Sequence, residues 1–318
     1  MTSGKIGVVA IGRNEGERFT ACLASLDGFA GPVVYVDSGS TDGSVEAARA
    51  AGVEVVELDM SRPFTAARAR NAGVGRLRAA GLPDYVQFVD GDCVFAPGWL
   101  DAAATFLDTH PAAAVVAGRL RERFPERSVY NRLCDAEWDT PLGQVDACGG
   151  IAMMRASAFE QAGGFREGLM AGEEPELCLR LRQAGGEIWR IEADMALHDA
   201  AMTRFWQWWR RTRRAGHAFA EGYALHGKGP ERHYQREVRR ILLWAGALPL
   251  AILILGLING HWARYALAIY PLQVLRLSAR LGMERAFFLT LGRFAEMQGL
   301  LDFWRRRLSG AGAKPYDK

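Results

Sequence analysis

Paired cysteines are missing from this chain. Its five cysteines, Cys22, Cys93, Cys134, Cys148 and Cys178, are dispersed, with no Cys-x-x-Cys spacing among them. An odd, scattered set excludes a disulfide framework and argues against a zinc site, so they read as reduced thiols packed as small hydrophobes. A strong net charge is missing too. The formal value is only +3 over 318 residues, which argues against a polyanion partner, and no nucleic acid is expected. Met1-Thr2-Ser3-Gly4-Lys5 runs into a strand pattern with no apolar h-region. No signal peptide is therefore expected, and the bulk of the chain is expected on the cytosolic side. There is no internal repeat and no low-complexity segment.

What is present is a strand–helix alternation. Strand patterns at 6–11, 33–36, 53–58 and 85–89 alternate with helical patterns at 17–26, 44–51 and 66–80. Strands apolar throughout, with helices between them, predict an α/β fold: a mixed, mainly parallel sheet with helices on both faces. Further strands are expected near 147–155 and 187–192, with a helix at 174–184 between them. Ligands of such sheets bind at the carboxyl ends of the strands, so the polar residues just after each strand are the candidates.

The C-terminal third reads differently. A Trp- and Arg-rich amphipathic helix spans 204–223, and 204–240 holds ten Lys/Arg against three Glu. Residues 241–258 are eighteen uncharged apolar residues, and 262–275 are a second, shorter run. The first run reaches the lower length limit of a membrane span. Arg236, Arg239 and Arg240 mark its edge as cytoplasmic. The expected organisation is a catalytic domain at 1–203, an interface helix region at 204–240, a transmembrane or re-entrant hairpin at 241–282, and an amphipathic helix and tail at 283–318. A membrane is an expected partner.

Asp90-Gly91-Asp92 follows the strand YVQFV. Two carboxylates one residue apart at a strand end suit a hard cation, Mg²⁺ or Mn²⁺, and the phosphates it carries. Asp37 stands at the end of VVYV, where a nucleobase N–H or a ribose hydroxyl is a possible donor to it. Asp42 and Ser44 read as a helix cap. Arg70, beside Asn71, is a phosphate-pairing candidate. In Gly172-Glu173-Glu174-Pro175-Glu176 at least one acid serves the helix dipole, and another is a candidate general base. His198 follows a strand and is a candidate metal ligand.

Six segments occur in order: VVAIGRNE, VVYVDSGSTDGS, ARARNAG, FVDGDC, ACGGIAMMR and GEEPELCLRLR. Together they resemble a family 2 glycosyltransferase of the GT-A fold over roughly residues 5–200. The resemblance implies roles. Ile11, Arg13 and Glu15 would lie beside the nucleotide, Asp37 near the base, and Arg70 and Asn71 near the donor. Asp90 and Asp92 would hold the metal–diphosphate, with His198 completing the metal site. Gly149 and Gly150 would shape the donor-sugar and acceptor site. Glu174, with Glu173 beside it, would be the catalytic base. The implied reaction is metal-dependent inverting transfer of one sugar (a hexose) from a nucleotide-sugar, a UDP-sugar being favoured. The acceptor would be lipid-linked or a glycan, in polysaccharide or glycolipid assembly at the cytoplasmic membrane.

Three departures stand out. The family's usual Asp is replaced by Glu174 before Pro175, and Asp37 is followed by Ser38 where a second acid is common. The Gln-x-x-Arg-Trp signature of processive synthases is absent, which favours single transfer over polymerisation. The alternatives are a nucleotidyltransferase of similar sheet, for which GRNEGE is a poor phosphate loop, and a degenerate transferase acting as a membrane assembly partner.

Overall fold

A computed structural model describes residues 5–310. Residues 1–4 and the end of the expected tail, 311–318, lie outside the described residues. The chain forms two compact units that meet in sequence at Ala201 and Met202.

The first unit runs β1 (Ile6–Gly12), α1 (Glu17–Ala24), β2 (Val33–Asp37), α2 (Ser44–Ala50), β3 (Glu54–Glu57), α3 (Ala66–Ala79), β4 (Tyr85–Asp90), β5 (Cys93–Phe95), α4 (Trp99–Thr109), β6 (Ala113–Glu122), α5 (Val129–Trp138), β7 (Gly143–Gln144), β8 (Ala152–Arg155), α6 (Ala156–Gln161), α7 (Glu173–Gln183) and β9 (Glu187–His198). The sheet order is β3-β2-β1-β4-β8-β6-β9-β5, with β7 on β9. Strands β3, β2, β1 and β4 are parallel neighbours. β8 enters antiparallel between β4 and β6. The sheet is mixed, as expected, and β6 and β9 in its other half are also parallel.

Expectation missed β5, β6 and β7, and the helices α4, α5 and α6. Strand β6 begins with Ala113-Ala114, poor strand formers, and ends in Arg119-Leu120-Arg121-Glu122, so its hydrophobic signal is broken. It is nonetheless buried from Ala113 to Gly118, because β8 and β9 flank it.

The second unit comprises α8 (Phe205–His226), α9 (Gln235–Leu242), α10 (Leu248–Ile258), α11 (Gly260–Leu267), α12 (Ile269–Leu281) and α13 (Met283–Ser309). The Trp/Arg helix α8 packs against α13. Trp208 is buried, the Trp209 indole donates to Gln298 at 2.9 Å, and Arg213 pairs with Asp302 at 2.5 Å. Of its three tryptophans only Trp206 is exposed, so α8 is first a packing helix. Residues Gln235–Ile258 form one continuous helix, long and apolar enough to cross a membrane by length and composition. It contains a π-helical turn at Leu243–Ala247, just before Pro249. Proline lacks an N–H and crowds the preceding turn, and a widened turn relieves both. Leu257 and Ile258 are 81% and 77% exposed.

Candidate functional site

Strand register assembles the site at one sheet edge. Ile11 lies beside Asp90 across β1–β4, and Gly12 beside Asp37 across β1–β2. The chain then reverses at Gly91, whose N–H donates to the Ile11 carbonyl at 2.8 Å. Strand β5 runs back antiparallel to β9, pairing Cys93 with His198. That register brings Asp92 to His198, with Asp92 Oδ1 3.5 Å from His198 Nε2.

A divalent cation fits this pair. The separation is long for a charged hydrogen bond and close to the roughly 3.0–3.4 Å between two ligands about 2.1 Å from one ion. His198 Nδ1 is buried without a hydrogen-bond partner, and Glu122 Oε2 lies 3.9 Å from it. A carboxylate behind a ligating imidazole fixes the ring's tautomer and orientation. Burial favours the neutral ring, but Asp92, Glu122 and Asp90 outweigh it and raise the His198 pKa. Glu122 is 4% exposed and held in place by the N–H groups of Phe124 and Ala200 and the amide of Asn131. Sequence reasoning missed Glu122, because it sits in the strand that was not foreseen. Cys93, also near Asp92 and His198, is buried, and burial and the adjacent carboxylates raise its thiol pKa well above the ordinary value.

Asp90 does not join that cluster. Arg70 holds it at 2.8 Å and holds Glu173 at 2.6 Å on its other side. Arg70 is 2% exposed. Burial would lower its pKa, but Asp90 and Glu173 reverse that and raise it. Arg70 thus ties the acidic turn to α7 rather than presenting a free guanidinium. Gly150 explains itself here: a Cβ would sit 2.5 Å from an Arg70 guanidinium nitrogen. Gly149 has φ of +96°, a region that favours glycine. Asn71 faces away from this tie. Its amide donates to the Phe165 carbonyl at 2.8 Å and accepts from the Phe165 N–H at 2.9 Å.

Asp37 is 3% exposed and accepts from the Tyr35 hydroxyl, Gly39 N–H and Ser40 N–H at 2.8–3.0 Å. It shapes its own loop. Glu15 is buried against Arg18 at 2.5 Å, and the Arg13 guanidinium stacks 4.7 Å from the Phe64 ring centroid.

Of the acids on α7, Glu176 is structural: it pairs with Arg180 and Arg166. Glu173 belongs to Arg70. Glu174 is 4% exposed, and its Oε1 accepts from the Cys148 N–H at 2.9 Å and the Cys178 thiol at 2.9 Å. The Cys148 thiol lies 3.3 Å from the same oxygen. The hydrogen bond from Cys178 favours the Cys148 thiolate, but burial and Glu174 push the Cys148 thiol up to about 11.

The mixed sheet, with an acidic turn and a histidine at its carboxyl edge, has the GT-A fold. Residues 8–163 match the family described as Glycosyl transferase family 2. The pre-mycofactocin glycosyltransferase of Mycobacterium tuberculosis (strain H37Rv) is 30% identical over 210 residues, 61% of this chain and 42% of that protein. The chain thus spans less than half the length of that relative. The succinoglycan biosynthesis protein ExoA of Rhizobium meliloti is 29% identical over 210 residues, 61% of this chain and 63% of that protein. In structure, the mannosyltransferase PcManGT of Pyrobaculum calidifontis, solved with GDP-Man and Mn²⁺, superposes with a TM-score of 0.66 at 17% identity, covering 93% of this chain and 87% of that one. That likeness shows the fold.

Proposed function

We propose that the protein transfers one sugar, with inversion, from a nucleoside-diphosphate sugar to a hydroxyl of a lipid-linked or glycan acceptor at a membrane. The observation that carries this reading is the Asp92–His198 pair, with Glu122 behind it, at the carboxyl edge of a family 2 domain. A divalent ion, Mg²⁺ or Mn²⁺, held by Asp92 and His198 would act as a Lewis acid on the leaving diphosphate. Asp90, oriented by Arg70, faces the same edge and is assigned to the donor. UDP-sugars are the first donors to test, with GDP-mannose beside them because the mannosyltransferase neighbour was solved with it.

Glu174 is assigned the proton. The Cys148 N–H and the Cys178 thiol hold Oε1, which orients the carboxylate and leaves Oε2 without a hydrogen-bond partner among the described residues. Oε2 would accept the proton of the attacking hydroxyl. Glu is one methylene longer than Asp, and its turn back onto Cys148 and Cys178 accommodates that extra length. The helix Gln235–Ile258 supports attachment to the cytoplasmic membrane, with the catalytic domain in the cytosol.

The test incubates the full chain with several nucleotide-sugars and Mn²⁺, with and without EDTA. Metal-dependent release of a nucleoside diphosphate is expected. Pyrophosphate exchange would indicate a nucleotidyltransferase, and neither product an assembly partner. Asp92→Ala and Glu174→Gln are each expected to slow turnover by about 10²–10⁴-fold. Full activity in both would overturn the assigned roles.

A further inference from the structure

We propose that Cys148, Glu174 and Cys178 form a second cation site, one that takes a thiophilic divalent ion of the Zn²⁺ class. Glu174 and Cys178 are one helical turn apart on α7, so they share a face. Cys148 comes from the loop before β8, and its own N–H is bonded to the Glu174 carboxylate. The two sulfurs lie 3.3 Å and 2.9 Å from Glu174 Oε1. All three ligand atoms lie within 4.8 Å of one another. In a tetrahedral zinc site, with Zn–S about 2.3 Å and Zn–O about 2.0 Å, sulfur and oxygen are about 3.5 Å apart. The two sulfur–oxygen distances fall short of that separation by about 0.2 Å and about 0.6 Å. Cys148 is partly exposed while Cys178 and Glu174 are buried, so the cluster lies at the margin of the packed interior.

The donor set differs in kind from the one at Asp92 and His198. Two thiolates and a carboxylate select a soft or borderline ion, whereas carboxylate and imidazole with open positions suit Mg²⁺ or Mn²⁺. As the two metal–sulfur bonds form, both thiol protons leave to solvent. Occupation also takes the Glu174 carboxylate, so a bound zinc ion would block sugar transfer. That last consequence rests on the proposed base role of Glu174; the cation site does not.

The experiment titrates the reduced full chain with Co²⁺ alone and follows thiolate-to-cobalt charge-transfer absorption. A saturable band, bleached by adding Zn²⁺, is expected. Cys148→Ser and Cys178→Ser should each weaken Co²⁺ binding on the order of 100-fold. Asp92→Ala should keep the band. Cys148 is partly exposed, so Cys148→Ser carries the test if Cys178→Ser does not fold. The absence of a band in the unaltered chain, or its survival in both cysteine variants, overturns the site. Nucleoside-diphosphate release is measured in parallel. If it continues with Zn²⁺ bound at the thiols, the base role of Glu174 falls and the cation site stands.

Discussion

The two units bury polar groups in opposite ways. In the α/β unit, charged side chains are buried in partnership: Arg70 between Asp90 and Glu173, and Glu176 beneath Arg180. In the helical unit the close contacts are made by backbone. A Cβ at Gly216 would run into the Glu296 main chain, and one at Gly299 into the carbonyl of Arg213. Its arginines Arg236, Arg239 and Arg240 are exposed at the start of the long apolar helix. The difference shows where each unit tolerates a desolvation cost. Buried charges are tolerated where they are paired or hydrogen-bonded, and several of them, among them Asp37, Arg70 and Glu122, lie at the sheet edge that carries the proposed chemistry. The helical unit buries apolar faces and glycines instead, with His217 as its one buried ionisable side chain among the described residues.

The sharpest way to break this comparison is Arg70→Met. It leaves Asp90 and Glu173 facing each other without a cation, and a loss of about 3 kcal/mol is expected. Asp90 is 35% exposed at its side chain, which keeps the loss at the lower end of the range for broken buried pairs. Urea unfolding measures it, and an unchanged midpoint would mean that the buried triad contributes nothing. In the helical unit the corresponding change is Gly299→Ala. The added methyl meets main chain rather than a flexible side chain, so a loss of about 1–3 kcal/mol is expected. Hydrogen exchange should report faster opening of α8 and α13, with the sheet unchanged.

A pH-dependent effect of similar size in the helical unit is the titration of His217. Burial lowers its pKa, Arg306 adds to this and Asp302 opposes it, leaving the ring at about 4. Glu221 also faces it, at 3.6 Å. A depressed folded pKa favours the neutral ring, so its contribution is complete above the unfolded value near 6.5. It is lost on acidification toward 4, at about 1.4 kcal/mol per pH unit. Thermal unfolding between pH 7 and pH 5 should show this slope, and His217→Gln should flatten it. An equal slope in both proteins would assign the acid sensitivity elsewhere.

Much of this was legible in the order of residues. Strands β1, β2 and β4 are buried on both faces and read as mostly apolar runs, broken only by Gln87 in β4. Asp37 and Asp90 stand at strand ends because parallel strands place their carboxyl ends on one edge. The apolar helix declares itself by composition, since membrane-length runs leave no room for charge. These are local properties, set by chain periodicity and by the residues flanking each element. Other features required distant strands to meet. Asp92 and His198 become neighbours only through the antiparallel register of β5 on β9, and Glu122 reaches His198 only because β6 lies beside β9. Arg70 reads from sequence as a phosphate ligand, and its ion pairs with Asp90 and Glu173 were not legible there, because these partners come from a turn and a helix far apart in sequence. Cys148 and Cys178 looked like unrelated small hydrophobes. Packing of the loop before β8 against α7 brought both thiols to a single carboxylate oxygen, a juxtaposition that no spacing rule contains.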